Sequence, residues 1–419
     1  MKTLWSDRYA QRTRYMQSSV VRELLKLTEK GDIISFAGGM PAPELFPVDE
    51  FKKATARVLA ENGPQALQYG PTEGCRRLRE LIARHTARYG IVVAPENILV
   101  TSASQQALDL LGKIFINPGD RIVVENPTYL GALQAWNMYQ AQYVGVPMDD
   151  EGMKTDELES AMRCGPKFLY VLPNFQNPTG VTLSLRRRRR IIELADHYGV
   201  PIVEDDPYGQ LRFEGNHIPP LFVLDSRNRR GENNGSNVIY LSTFSKTLAP
   251  GIRLGWIVAP AEVIQRLVQA KQGTDLHTSS LVQLVACEIA SGGFLDGHVR
   301  RIRAVYKERR DTILAALRKH MPRGVLWTRP QGGLFIWATL PEAVDAAELL
   351  VEAAREGVAF VPGAAFYHDG SVRNAMRLNF SYAPPERIAE GIRRLAGVLK
   401  RRLAGAARGR AAAPQPAGS

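Results

Sequence analysis

The chain has 419 residues, of which 45% are hydrophobic and 23% charged, with a formal charge of +12. Such a composition supplies a large core and room for two domains, and it excludes disorder as the default state. No apolar run approaches the ~18 residues that a membrane helix needs, and the basic N-terminus is not followed by an uninterrupted apolar stretch, so the reading is a cytoplasmic protein with no membrane partner.

Taken in chain order, the runs ILVTSAS, RIVVENP, FLYVLPN, PIVEDDP, VIYLSTF and LGWIVAP are short, apolar and strand-like. Amphipathic stretches such as QQALDLLGKIF and TDELESAMRCG lie between them. This alternation predicts an α/β fold with a mostly parallel sheet, and the polar residues that close several runs gather on one edge. From about residue 290 the pattern changes to a long helix, GFLDGHVRRIRAVYKERRDTILAALRKH, followed by GGLFIWATL, a helix through EAVDAAELLVEAAREG, then VAFVPG and MRLNFSY. That part reads as a smaller α+β domain. Its partner segment is expected to be the N-terminal forty-odd residues.

Much of the positive excess sits in Arg186 to Arg190 and in the segment from Lys400 to Arg410. Five consecutive arginines wrap every side of a helix, and no aromatics interleave with them to stack on bases. The run therefore reads as a solvated face, and no nucleic-acid partner is expected. Cys75, Cys164 and Cys287 are an odd number without CxxC or Cys/His spacing, which points to neither a disulfide framework nor a metal site. The tail RGRAAAPQPAGS is of low complexity.

Several polar residues at the expected sheet edge form a set. Ser104 and Gln105 in TSASQQALDLLGKIF begin a helix, where free amides and the dipole favour an anion, although simple N-capping by Ser104 reads equally well. Asn177 opens an Asn-Pro-Thr-Gly turn past one strand. Asp205 and Tyr208 in EDDPYG put a carboxylate and a phenol on the same rim, with a plain turn as the alternative. Lys246 in TFSKTLAPGIRLGW follows another strand, seven residues before Arg253. A lysine can hold an aldehyde as an imine, a carboxylate can keep a pyridine nitrogen protonated, an amide and a phenol can bind a ring oxygen, and a helix start with hydroxyls and an arginine can hold a phosphate. Together they describe pyridoxal 5'-phosphate.

On these residues the sequence resembles the fold-type I pyridoxal-phosphate aminotransferases, most of all the 2-aminoadipate and kynurenine subgroup. The similarity runs through AGGMPAP, LQYGPTEG, ENPTYLGAL, PNFQNPTG, EDDPYGQLRF, DLHTSS, PQGGLFIW and MRLNFS, nearly the whole chain. It implies a three-layer α/β/α large domain over 46–290 and a small α+β domain over 291–405 joined by an N-terminal segment over 1–45, while composition alone makes 406–419 a disordered tail. It implies that Lys246 is the imine-forming lysine and moves the substrate's α proton, that Asp205 pairs with the pyridine nitrogen, that Asn177 and Tyr208 bind the ring oxygen, and that Tyr129 stacks on the ring. The phosphate would meet Ala103, Ser104, Gln105, Thr243, Ser245 and Arg253, with Tyr69 reaching in from a second subunit of a homodimer. Arg377 would grip the substrate carboxylate. Gly39 would lie beside the substrate, and Asn177 would touch it as well. Arg22 in VVRELLKL is either a solvated helix residue or the reader of an acidic side chain.

One departure is Ala103, where similar proteins often have glycine; alanine is expected to crowd the phosphate loop slightly and to leave its backbone donor intact. The implied reaction moves an amino group from an L-amino acid (2-aminoadipate, glutamate, aromatic or branched-chain) to a 2-oxo acid such as 2-oxoglutarate. Oxidation, decarboxylation or side-chain replacement on the same fold is the alternative. A related family of regulators carries an N-terminal DNA reader, for which fewer than forty residues before AGGMPAP leave no room.

Overall fold

The computed structural model describes residues 3–16, 33–228 and 236–411, with side chains through residue 405. The chain divides into two units, and a short strand β1 (Ile34–Ser35) belongs to the smaller. The larger comprises residues 3–16, 43–228, 236–304 and 330–333. Its strands are β2 (Ile98–Thr101), β3 (Arg121–Asn126), β4 (Gln142–Asp149), β5 (Gly152–Met153), β6 (Leu169–Val171), β7 (Ile202–Asp205), β8 (Val238–Thr243) and β9 (Gly255–Val258), in one sheet of order β2-β9-β8-β7-β6-β3-β4-β5. Strands β4, β3, β6, β7 and β8 run parallel, while β9 is antiparallel to both β8 and β2. Two reversals restore the direction, so β2 ends on the same edge as β8.

Every residue of β2, β6, β7, β8 and β9 is buried. A sheet covered on both faces has no solvent side to alternate with, which is why these strands read as continuous apolar runs. The covering helices are α1 (Val48–Leu67), α2 (Arg76–Ala87), α3 (Ala103–Phe115), α4 (Leu130–Asn137), α5 (Thr155–Met162), α6 (Leu185–Tyr198), α7 (Leu221–Asn228), α8 (Ala261–Gln272) and α9 (Ser280–Ser291); α10 (Phe294–His320) begins in this unit and ends in the other.

The arginine run in α6 corrects an expectation. Arg186, Arg189 and Arg190 are exposed, as a solvated face requires, but Arg187 and Arg188 are buried. Arg188 donates to the carbonyls of Leu183 (3.0 Å), Pro219 (3.0 Å) and Pro173 (2.9 Å) and to Asn174 Oδ1 (2.7 Å). Burial lowers its pKa to about 10. Arg187 forks onto both oxygens of Asp149 and onto the Gly152 carbonyl. A guanidinium has five fixed donors, so it can be buried wherever loops present that many oxygens.

In the smaller unit, residues 33–42, 305–329 and 334–411, β10 (Leu326–Trp327), β11 (Phe335–Thr339), β12 (Val358–Ala359), β13 (Val361–Pro362) and β14 (Ala375–Asn379) join α11 (Ala346–Arg355) and α12 (Pro385–Ala411). An antiparallel sheet has the order β10-β11-β14-β13, and β1 pairs in parallel with β12. Asp345 caps α11 by accepting from the Ala347 and Glu348 amides. Among the described residues no helix is long and apolar enough to cross a membrane.

Candidate active site

The carboxyl edge of the parallel strands gathers most of the singled-out residues of the larger unit. Asp205 ends β7; Lys246, Asn177 and Tyr129 lie three, six and three residues beyond β8, β6 and β3. In such sheets that edge is where ligands bind, because the strands splay there and helix starts face it.

Asp205 is 2% exposed. Its Oδ2 accepts from the Tyr170 hydroxyl at 2.8 Å, while Oδ1 is buried with no hydrogen-bond partner. Burial pushes its pKa up to about 7, against the opposing Tyr170 bond. Tyr170, on β6, is itself fully buried and stands edge-on to Trp136 at 5.0 Å. The sequence reading missed it; the available signal was a phenol inside a strand buried on both faces. A buried acid with one oxygen unused is costly unless a ligand completes it.

The other end of the site is a turn. Ser102 precedes α3, and Ala103 has φ +65°, the left-handed region in which an alanine is strained. The expected slight crowding is thus a backbone strain. Gly255 sits opposite, and a Cβ there would come within 2.9 Å of the Ala103 carbonyl carbon and 3.0 Å of the Ser104 nitrogen. Ser104 does not cap α3: its buried Oγ has no partner. Thr243 Oγ1 lies 2.9 Å from Ser245 Oγ and donates to the Leu254 carbonyl at 2.7 Å, so two hydroxyls converge beside β9. Arg253, also at positive φ (+52°), presents an exposed guanidinium that touches the Pro250 carbonyl. Hydroxyls, a helix start and an arginine suit an anion.

Between these ends, Gln105 donates to the Gly131 carbonyl at 2.9 Å, and the ring of Tyr129 folds over the same Gly131. Asn177 and Tyr208 are buried, and Lys246 is half-buried. Behind Asn177, Gln176 donates to Glu125 Oε2 (3.1 Å) and to the Pro127 carbonyl (2.8 Å), and takes both bonds of Thr179. Burial pushes the Glu125 carboxyl up to about 8. Glu125 and Glu204 went unnoticed in the sequence, though Glu125 is a lone carboxyl in an apolar strand and Glu204 stands beside Asp205 in another.

Tyr69 is 79% exposed and meets His277 edge-on at 5.8 Å. In the smaller unit, Arg377 on β14 is 2% exposed, donates to the Ala37 carbonyl at 2.7 Å and stacks between the rings of Phe335 (4.3 Å) and Phe366 (4.9 Å). Gly39 faces the same Phe335, which a Cβ would approach to 3.1 Å. Arg22 lies outside the described residues. Among the described residues no group of three His, Cys, Asp or Glu side chains is placed to hold a metal.

An unused buried carboxylate oxygen suits a protonated pyridine nitrogen, and an unpartnered hydroxyl at a helix start, with further hydroxyls and an arginine, suits a phosphate. Residues 32–395 match the family described as Aminotransferase class I and II. The chain is 48% identical to an aromatic-amino-acid aminotransferase of Thermococcus litoralis, over 94% of each chain. A crystal structure of Pyrococcus horikoshii kynurenine aminotransferase in complex with PMP shares 46% identity at a TM-score of 0.89, covering 95% of this chain and 98% of that one. An alpha-aminoadipate aminotransferase from Thermus thermophilus, complexed with N-(5'-phosphopyridoxyl)-L-leucine, shares 43% identity at a TM-score of 0.90, over 96% and 100%.

Proposed function

The chain belongs to the class I and II aminotransferases, and from that premise we propose which of its residues hold the cofactor and substrate and which amino acids it uses. It is a pyridoxal-phosphate-dependent transaminase acting on an amino acid and a 2-oxo acid. Bound at the sheet edge, the cofactor supplies an aldehyde carbon and an electron sink that make the α hydrogen of an amino acid acidic.

Lys246 is the base that takes the α proton and returns it to the cofactor's 4' carbon. Asp205 holds the pyridine nitrogen protonated through Oδ1, and its unused buried oxygen is the observation that carries this reading. Asn177 and Tyr208 hold the ring oxygen, and Tyr129 lies on the ring face. Ala103, Ser104, Gln105, Thr243, Ser245 and Arg253 surround the phosphate. Arg377, already stacked and anchored, takes the substrate carboxylate through its fork, with Gly39 and Asn177 beside the substrate.

The relatives' names support 2-aminoadipate, aromatic and kynurenine-like amino donors; 2-oxoglutarate as acceptor and Arg22 as reader of a distal carboxylate complete the reading. A homodimer in which Tyr69 completes the partner's phosphate site is supported by the exposure of Leu67, Tyr69 and Leu276. Three free cysteines suit a cytoplasmic enzyme.

The test is a half-reaction. Purified protein receives glutamate, 2-aminoadipate, kynurenine, aromatic or branched-chain amino acids singly, with no 2-oxo acid, and the cofactor's visible band and the products are followed. One oxo acid per bound cofactor, without oxygen uptake or carbon dioxide release, is the expected result, with Arg22→Ala slowing the acidic donors selectively. Carbon dioxide, oxygen uptake or a replaced side chain in place of a stoichiometric oxo acid would overturn it.

A further inference from the structure

Beneath the turn that carries Ser102, Ala103 and Ser104 lies a buried ammonium that no motif singled out. Lys271, in the last turn of α8, has a fully buried side chain. Its Nζ donates to Gln106 Oε1 (2.7 Å), to both oxygens of Asp275 (2.8 and 2.9 Å) and to Thr278 Oγ1 (3.1 Å). Burial lowers the lysine's pKa, and Asp275 opposes that shift.

The same acceptors hold Ser102. Its backbone N–H donates to Gln106 Oε1 at 2.8 Å, its Oγ donates to Asp275 Oδ2 at 3.2 Å, and Gln106 Nε2 donates to that same oxygen at 2.7 Å. A buried lysine needs an acid, but nothing in that need requires the pair to grip a neighbouring turn, directly through Asp275 and indirectly through Gln106, which both members of the pair hold. The next residue is Ala103 at φ +65°, a conformation that costs an alanine about 1–2 kcal/mol and persists only where its surroundings hold it. Gly255 bounds the turn on the other side.

Charge gives the pair a second consequence. Without Lys271, the Asp275 carboxylate, 28% exposed at its side chain and so only partly screened by water, would stand uncompensated, hydrogen-bonded to the turn that receives a dianion.

We propose that Lys271 and Asp275 are a positioning pair that fixes the Ser102–Ala103–Ser104 turn for the cofactor's phosphate and cancels the negative charge beside it. The proposal rests on the reading that this turn holds the phosphate. It therefore predicts a defect specific to the phosphate group, which a merely structural ion pair would not produce.

The experiment measures the equilibrium between holoenzyme and free cofactor for pyridoxal 5'-phosphate and, separately, for pyridoxal, in Lys271→Met, Asp275→Asn, the double variant Lys271→Met/Asp275→Leu, and Ser104→Ala. Lys271→Met is expected to weaken the phosphorylated cofactor about tenfold and pyridoxal less than about twofold. Asp275→Asn should cost less, and the double variant should recover part of the loss. Should Lys271→Met fail to fold, Ser102→Ala, which deletes only the Oγ bond, should show the same selectivity at about threefold. Equal weakening of both ligands, or of neither, while Ser104→Ala stays phosphate-selective, would overturn the pair's role. Loss of selectivity in Ser104→Ala as well would overturn the phosphate reading itself, and the pair's role with it.

Discussion

Glu204 and Asp205 are neighbours on β7, both buried, and burial pushes both carboxyls up to about 7. They differ in what completes them. Glu204 accepts from the amides of Leu221 and Phe222, one per oxygen, and so seals the start of α7. Asp205 has Tyr170 on one oxygen and nothing on the other. Depth and acidity are shared, so what sets Asp205 apart from Glu204 is its unfilled hydrogen-bonding capacity, which Glu125 Oε1 also has, joined to a place at the last residue of its strand.

The comparison is broken most severely at the residue that would act on what Asp205 holds. Lys246→Ala should cut turnover by at least about 10³-fold while the protein still folds, measured as oxo acid released in a single turnover. Asp205→Asn should lower turnover on the order of 10²-fold and loosen the cofactor, with little change in stability. Glu204→Gln should do the reverse above about pH 7, where the carboxylate accepts from both amides and the new amide would face an N–H donor, costing about 1–3 kcal/mol in urea unfolding with turnover nearly intact.

A pH series sharpens the same contrast. In cofactor-free protein both carboxyls stay protonated up to about pH 7, whereas in the unfolded chain they ionise near pH 4. The folded state then binds more protons across that window, so their contribution is fullest below about pH 4 and falls as the pH rises to about 7. Asp205→Asn should remove about one proton's worth of that slope. Adding the cofactor, whose pyridinium favours ionised Asp205, should flatten it in the wild type and not in the variant.

Arginines extend the contrast to structure alone. Arg188→Met should cost about 3 kcal/mol or more in unfolding free energy, since it strands five oxygens, while Arg189→Ala should stay within about 0.5 kcal/mol. The smallest effect is expected from Ala103→Gly. Relief of the left-handed strain, partly offset by the freer unfolded chain, should raise stability by a few tenths to about 1 kcal/mol.

Local pattern made the six strand runs readable, because burial on both faces leaves a run apolar from end to end. The residues just past those runs were readable too, since Lys246, Asp205 and Asn177 break an apolar pattern at a strand's carboxyl end. The antiparallel course of β9 was not, for direction is set by which neighbours a strand meets and not by its own residues. Arg188 was misread because its acceptors lie up to 31 residues away, on loops that only the fold brings together. Tyr170 and Lys271 were hidden in the same manner: each matters through a contact with a residue distant in the chain.

Gly255 has no polar side chain and would touch no ligand, yet it allows the backbone of β9 to lie directly against that of Ala103 and Ser104. On the proposed site, a change at this glycine would therefore show as a protein that loads poorly and not as one that has lost its chemistry. The proposed catalytic groups would be intact, the proposed phosphate turn would be loosened, and by mass action excess cofactor would restore the holoenzyme.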